Sequence, residues 1–181
     1  MGLDKMRWEE GALVIARARK VDAVSILSIH REVLTEGDFF ITQPEELNLD
    51  AERQIDRIAR FLQDEDALFL VARINRVPVG FLTLRSGPLA RMKHCVKLEI
   101  MVAKGSRGQG IGRRLLSAAM EWAVAHPRIT KVGLSVFAQN ETASRLYSEF
   151  GFAEEGRRLK EYRLADGSYR DDILMGCWVG N

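Results

Sequence analysis

A glycine-rich segment in the second half of the chain has the residue types of an anion-binding turn. Its members, in order, are Arg107, Gly108, Gln109, Gly110, Ile111 and Gly112, and the next two residues are Arg113 and Arg114. Glycines let the backbone approach a ligand without a Cβ in the way, and the free N–H groups at a helix start favour an anion. The arginines add charge-assisted hydrogen bonds. The segment therefore predicts a phosphate or pyrophosphate site, although a plain tight turn has the same composition.

Two common nucleotide-binding loops do not fit this segment. A P-loop needs a lysine directly after its last glycine, and no lysine stands at that place. In a dinucleotide-binding fingerprint, Gly108 and Gly110 would supply the first two glycines, but the third position falls on Arg113. We therefore expect an anion site of another kind.

The predicted strand before this segment places a carboxylate on one of its faces. One face carries Val96, Leu98, Ile100 and Val102, and the other carries Lys97, Glu99 and Met101. Glu99 has the chemistry of a general base, and it is equally suited to pair with Lys97 or with a charge on a neighbouring strand. The sequence leaves both roles open.

A second pair of candidate residues lies on a predicted helix downstream. Asn140 is a residue type that caps helix starts, and Tyr147 shares the apolar face of the same helix. A phenol has a pKa of about 10, so it is protonated at neutral pH and can donate a proton. Tyr147 therefore fits either a core position or a general acid.

Hydrophobic periodicity predicts the elements that must position these residues. The order is strand Leu13–Arg17, helix 21–35, helix 50–62, strands Ala67–Arg73, Val79–Leu84 and Val96–Val102, helix 111–126, strand Lys131–Phe137, helix 140–150, and strands 158–164 and 169–179. This is a mixed α/β layer arrangement. It lacks the regular alternation of a doubly wound fold.

Composition excludes several classes of function. The chain has 181 residues and a formal net charge of +2, which suits a single domain over residues 1–181 and gives no case for nucleic acid or membrane binding. Cys95 and Cys177 are too few for a disulfide framework, and no metal-binding spacing of Cys and His is present. We expect a cytoplasmic protein without a metal, in which residues 1–10 are flexible.

Taken together, these motifs resemble the GCN5-related N-acetyltransferase (GNAT) superfamily. The family signature Arg/Gln-x-x-Gly-x-Gly/Ala is matched by Arg107, Gly110 and Gly112, and residues 98–102 look like the family's central strand. Residues 140–152 resemble its second motif. Lys104 stands where the family often has a proline. The resemblance covers residues 65–176 and implies an α/β (α+β mixed) fold: a mostly antiparallel, twisted sheet of about seven strands, flanked by about four helices and splayed at the central strand.

The same resemblance implies that acetyl-CoA is a co-substrate. Its pyrophosphate would bind residues 107–113, and its pantetheine arm would pair with the backbone of Ile100, Met101 and Val102. A strand N–H near Ile100 or Met101 would polarise the thioester carbonyl. Asn140 would hydrogen-bond the pantetheine, and Tyr147 would protonate the departing thiolate.

For the acceptor side, the resemblance makes Glu99 the candidate base, acting directly or through a water. His30 fits a packed core histidine, although family geometry puts its helix near the acceptor groove. The loop between the first two helices, with Phe39, Phe40 and residues 43–46, would shape the acceptor site. Cys95 is not expected to act as a nucleophile, because direct transfer needs no covalent intermediate.

The implied activity is direct transfer of the acetyl group to a primary amine of a small molecule or a protein. The alternative is a non-catalytic acyl-CoA-binding regulatory module, which would have no need of a proton donor such as Tyr147. The terminal strand at 169–179 would join a homodimer interface in some relatives. The fold does not choose the acceptor amine.

Overall fold

A computed structural model describes residues 13–37 and 39–180, and the predicted flexible segment 1–10 lies outside these residues. The helices and strands are β1 Leu13–Arg17, α1 Ala23–Thr35, α2 Ala51–Gln63, β2 Ala67–Ile74, β3 Val77–Ser86, β4 Cys95–Val102, α3 Ile111–Ala125, β5 Lys131–Phe137, α4 Glu141–Glu149, β6 Ala153–Arg163 and β7 Tyr169–Trp178. The predicted order of elements is confirmed.

The largest boundary error concerns β6, which begins at Ala153 rather than at residue 158. This strand lies at the edge of the sheet, and nearly all of its side chains are exposed. An edge strand with two solvated faces has no alternation of apolar and polar residues, so its start leaves no periodic signal.

The strands form one sheet in the order β1-β2-β3-β4-β5-β7-β6, in which only β4 and β5 run parallel. β3 pairs with β4 without interruption from Gly80–Ser86 to Val96–Val102. By contrast, β4 pairs with β5 only over Cys95–Lys97. From Leu98 onward the other edge of β4 therefore pairs with no strand of the described residues, and the predicted splay at the central strand is confirmed.

Helices cover both faces of the sheet and give it two hydrophobic clusters. One cluster joins the sheet to α3 and α4 and contains Val96, Leu115 and Tyr147. The other joins the sheet to α1 and α2 and contains Phe81 and Met101. The two faces of β4 thus meet different helices, as its predicted alternation requires.

The three helix starts that matter for the site follow from residue type. Asp50 caps α2 by accepting a hydrogen bond from the Arg53 N–H at 2.8 Å. Asn140 caps α4 in the same way through the Ala143 N–H at 3.2 Å. At the start of α3, Gly110 has a φ of 74°, a left-handed value that favours glycine.

A buried ion pair fastens the start of α1 to β2. The Arg73 guanidinium donates to the Asp22 carboxylate, and the two residues are 2% and 4% exposed. The Arg19 N–H also donates to Asp22 at 2.7 Å. No local pattern in the sequence predicted this pair. Because each charge is removed from water, each depends on the other for its stabilisation.

Replacing Arg73 with methionine should lower the free energy of unfolding by about 3–5 kcal/mol, because Asp22 would remain buried with only the largely exposed Arg19 guanidinium, 3.5 Å away, as a counter-ion. Urea denaturation measures this change. The matched control is Arg157→Met at an exposed ion pair with Glu154, where a loss of no more than about 1 kcal/mol is expected. Equal losses in the two variants would show that the buried pair adds nothing special to stability.

Candidate active site

The predicted anion-binding turn leads into α3 with its backbone donors free. The N–H groups from Gly108 to Arg113 donate to no backbone carbonyl of the described residues. The first bond of the helix is that from the Arg114 N–H to the Gly110 carbonyl, at 3.0 Å. A row of free N–H groups at the positive end of a 15-residue helix is a site for an anion.

The glycines of this turn have different roles. Gly108 and Gly110 have φ values of 75° and 74°, and a Cβ on either would meet nothing within 4 Å. Glycine is therefore favoured there by the backbone conformation, and the space outside is open. At Gly112 a Cβ would lie 3.7 Å from Leu146 and 3.9 Å from Ile100, so this residue lies where α3 meets α4 and β4.

The arginine side chains of the turn contact neighbouring elements. The Arg107 guanidinium forms two hydrogen bonds of 2.7 Å with the Glu36 carboxylate, and its Nε donates to the Val102 carbonyl at 3.0 Å. Arg113 pairs with Glu149 and lies 5.8 Å from the centre of the Phe150 ring. Arg107 thereby ties the turn to α1 and β4, and its backbone lies beside the free N–H groups.

The unpaired edge of β4 opens a cleft beside this turn. Ile100, Met101 and Val102 lie beyond the last residue of β4 that pairs with β5. Their strand is held in register by β3 on its other side. The cleft therefore offers an unpaired strand edge to an extended ligand whose anionic end reaches the α3 start.

Tyr147 lies on the α4 side of the sheet and is 7% exposed. Its ring packs 5.8 Å from the ring of Phe152. Burial disfavours the phenolate and raises the pKa of Tyr147 to about 12. The hydroxyl is therefore protonated throughout the neutral range, as a proton donor requires. Asn140 begins the same helix, and its side-chain oxygen is the cap described above.

Glu99 lies on the opposite face of the sheet, among groups from α1, α2 and β3. Its carboxylate accepts hydrogen bonds from Arg57 Nη2 at 2.7 Å and from Thr83 Oγ1 at 3.3 Å. His30 Nε2 lies 4.0 Å from its other oxygen. The ion-pair partner of Glu99 is thus Arg57 rather than Lys97, which instead lies over Gly133 of β5.

His30 is buried, as the sequence predicted, but one ring nitrogen points towards Glu99. Its Nδ1 has no partner among the described residues, and its ring lies 5.9 Å from that of Phe81. Burial lowers the pKa of His30 below 6.5, Glu99 opposes this shift, and Arg57 adds to it. The imidazole is therefore neutral at pH 7.

Arg57 and Thr83 were not predicted as site residues. Thr83 faces Glu99 across the β3–β4 pair, but the connection between those strands hides the register. Arg57 is one of several basic residues on α2, and only the packing of that helix selects it. No signal in the sequence distinguished it.

The loop between α1 and α2, which was expected to shape the acceptor site, contains a short turn, and its role at the site stays a prediction. Residues Pro44–Glu46 form a short 3-10 turn, in which the Glu46 carboxylate accepts from the Gln43 N–H at 2.8 Å. Phe40 packs against the cluster formed with α1 and α2, while Phe39 is largely exposed.

Over residues 13–37 and 39–180, no group of three or more His, Cys, Asp or Glu side chains is arranged to hold a metal. Within the same part of the chain, no helix is long and apolar enough to span a membrane. Both cysteines are free thiols.

Curated relatives with named activities match the sequence in part. One is the L-amino acid N-acetyltransferase AaaT of Escherichia coli, 31% identical over 59% of this chain and 65% of that protein. Another is a spermidine N(1)-acetyltransferase of Vibrio cholerae, 32% identical over 41% of this chain and 43% of that protein. The matched regions thus span less than two thirds of the length of these relatives.

Solved structures match nearly the whole chain. A GNAT-family acetyltransferase from Streptococcus pneumoniae has a TM-score of 0.88 and 26% identity, covering 93% of this chain and 100% of that one. The yncA protein from Salmonella typhimurium, solved with its cofactor acetyl-CoA, has a TM-score of 0.85 and 18% identity, covering 94% of this chain and 95% of that one. These matches bear out the predicted fold.

The family model described as Acetyltransferase (GNAT) family matches residues 31–152, well over half of the chain. That region contains the splayed strand, the turn with its free N–H groups, and both Glu99 and Tyr147. The chain belongs to the GNAT acetyltransferase family.

Proposed function

We propose that the protein is an acetyl-CoA-dependent N-acetyltransferase that transfers the acetyl group directly to a primary amine. The observation that carries this proposal is the unpaired edge of β4 beside the free N–H groups from Gly108 to Arg113. One extended molecule with a diphosphate end fits both features. Relatives named for acetylation of L-amino acids and of spermidine, and a similar structure holding acetyl-CoA, support it.

In the proposed complex, residues 108–113 bind the pyrophosphate through their free N–H groups, and Arg107, whose own N–H donates to the Lys104 carbonyl at 3.3 Å, lies beside it. The pantetheine arm pairs with the backbone of Ile100, Met101 and Val102, and the Asn140 side-chain amide donates to it. A β4 N–H near Ile100 or Met101 donates to the thioester oxygen. That donor stabilises the oxyanion that forms when the amine attacks.

Proton removal is assigned to Glu99. The amine nitrogen loses a proton to the Glu99 carboxylate, directly or through a water, and its lone pair forms the bond to the acetyl carbon. Glu99 is 34% exposed, so the acceptor can reach it. Arg57 and Thr83 hold the carboxylate in one orientation.

Proton donation is assigned to Tyr147. When the tetrahedral intermediate collapses, the carbon–sulfur bond breaks and the thiolate leaves. The Tyr147 hydroxyl then gives its proton to the sulfur and is later reprotonated from water. The products are the acetylated amine and coenzyme A.

The first prediction concerns the cofactor. Calorimetry should show saturable binding of acetyl-CoA but not of ATP. Gly110→Asp should weaken that binding at least about tenfold, because it sets a carboxylate against the pyrophosphate in a left-handed backbone position. Gly167→Asp is the matched control, since Gly167 has a φ of 83° in the turn between β6 and β7. If Gly110→Asp bound acetyl-CoA as wild type does, the pyrophosphate assignment would be wrong.

Thiol release from acetyl-CoA in the presence of amines separates the enzyme from a non-catalytic acyl-CoA-binding module. Tyr147→Phe should lower kcat about 100-fold while leaving the affinity for acetyl-CoA nearly unchanged, because phenylalanine keeps the buried ring and loses only the donor. Tyr169→Phe, at a largely exposed tyrosine of β7, is the control. Wild-type turnover in Tyr147→Phe would remove this residue from the mechanism.

The base makes a prediction about rate. Glu99→Gln should lower kcat/KM at least about 100-fold, because the amide keeps the shape of the side chain and loses the proton acceptor. Because Glu99 raises the pKa of His30, its removal should lower that pKa further. The thiol-release rate and the pH titration of the His30 imidazole signal in NMR spectra check the two effects. Wild-type turnover in Glu99→Gln would clear Glu99 of the role.

Other expectations stay proposals. We propose that residues 1–181 form a single N-acetyltransferase domain, which is supported by the single sheet that joins β1 to β7. Cytoplasmic location and the lack of nucleic acid and membrane partners stay predictions from composition. The homodimer through the terminal strands also stays a prediction, and the exposed Leu159, Tyr169 and Trp178 support it.

A further inference from the structure

We propose that the acceptor is an α-amino acid whose own carboxylate is bound by Arg57, rather than a polyamine or a protein N-terminus. This inference rests on the proposed function and deepens it, because it names the class of amine that enters the site. It comes from the charges that surround Glu99 and from the hydrogen-bonding capacity that Arg57 has left.

The groups around Glu99 leave no net negative charge there. From α2, Arg57 neutralises the carboxylate directly. From α1, His30 is neutral at pH 7, and from β3, Thr83 carries no charge. Arg85 of β3 lies 5.4 Å from the centre of the Phe61 ring, which Arg57 also approaches to 5.9 Å. A ligand that brings only positive charge gains little from this surface.

The carboxylates of α1 and the following loop are mostly engaged elsewhere. Glu32 accepts the Lys104 N–H at 2.9 Å, and Glu36 pairs with Arg107. Glu46 caps its own turn. A polyamine would place its distant ammonium groups against exposed carboxylates such as Glu45, Glu52 and Asp56, and an ion pair in solvent contributes little.

The Arg57 guanidinium has unused N–H donors, and its side chain is held in place. A guanidinium has five N–H groups, and the only hydrogen bond that the Arg57 side chain makes to a described residue is that from Nη2 to Glu99. The side chain is 20% exposed, and its central carbon lies 5.6 Å from the centre of the Phe69 ring. The aromatic rings limit its motion, so the remaining donors keep a fixed plane suited to a carboxylate.

Glu99 and Arg57 are in direct contact, so they can bind two neighbouring groups of one small molecule. The amine and the carboxylate of such a molecule are attached to one carbon atom. If the amine lies at Glu99, its carboxylate falls beside Arg57, whose Nη2 is 2.7 Å from Glu99 Oε2. A protein N-terminus has an amide at that place, and an amide carries no charge for the guanidinium to bind.

The test compares matched acceptors in the thiol-release assay. Common L-amino acids are each paired with their own α-amides, and spermidine is the polyamine. The best amino acids should have kcat/KM values at least about tenfold above those of their amides and of spermidine, because only they carry the carboxylate. The amide has the less basic amine, so the more easily deprotonated nucleophile is expected to be the poorer substrate.

Variants of Arg57 identify the residue responsible. Arg57→Met should remove the preference for acid over amide, chiefly through the KM of the acid, and Arg57→Lys should keep part of it. A fall in kcat shared by acid and amide is expected as well, because Arg57 also orients Glu99. The ratio of the two substrates is therefore the readout. Arg60→Met, at an exposed position of the same helix, is the matched control and should leave the ratio unchanged.

Each outcome separates the inference from the proposed function. Three results would overturn the inference while the transferase activity stands. They are equal kcat/KM values for acids and amides, a preference for spermidine, and an unchanged ratio of acid to amide in a folded Arg57→Met variant. If none of the tested amines supported thiol release, the proposed function and the inference would both be overturned. Circular dichroism of each variant verifies folding. If Arg57→Met does not fold, Arg57→Lys decides the question, since its ratio of acid to amide should fall below that of the wild type and an unchanged ratio would overturn the inference.

Discussion

Parallel pairing between β4 and β5 covers only Cys95–Lys97 and Lys131–Gly133, and beyond it the two strands separate. Each strand keeps a full partner on its other side, β3 for β4 and β7 for β5. The sheet can therefore open in the middle without losing the stability of either half. The unpaired N–H and C=O groups of β4 are strong hydrogen-bonding groups, so an extended ligand with amide groups is their natural partner.

The two faces of the sheet explain why the cleft has two chemically different sides. Residues of β4 that point one way pack with α3 and α4, and those that point the other way pack with α1 and α2. Gly112 brings α3 close to Ile100 and Leu146, so the anion-binding turn is held at the end of the open edge. Arg107 fastens the same turn to α1 through Glu36. The site is thus built on rigid elements rather than on loops.

Sequence alone was sufficient for features that depend on local chemistry. The left-handed glycines 108 and 110 and the caps Asp50 and Asn140 are visible because backbone conformation dictates residue type there. The contact of Arg57 with Glu99 joins residues 42 positions apart, and it depends on how α2 lies across the sheet. No local pattern encodes that placement. The early start of β6 was missed for a different reason. An edge strand that is exposed on both faces shows no alternation of apolar and polar residues.

Burial controls the proton chemistry of both sides of the cleft, but through different neighbours. On one side, packing in the cluster with α3 and α4 keeps the Tyr147 phenol neutral, with a pKa of about 12. On the other side, burial keeps His30 neutral, so the charge near Glu99 belongs to the carboxylate and Arg57. The group proposed to accept a proton and the group proposed to donate one therefore lie on opposite faces of β4. Neither needs to change role within a turnover, because the amine proton and the thiolate proton are handled by separate groups with separate environments.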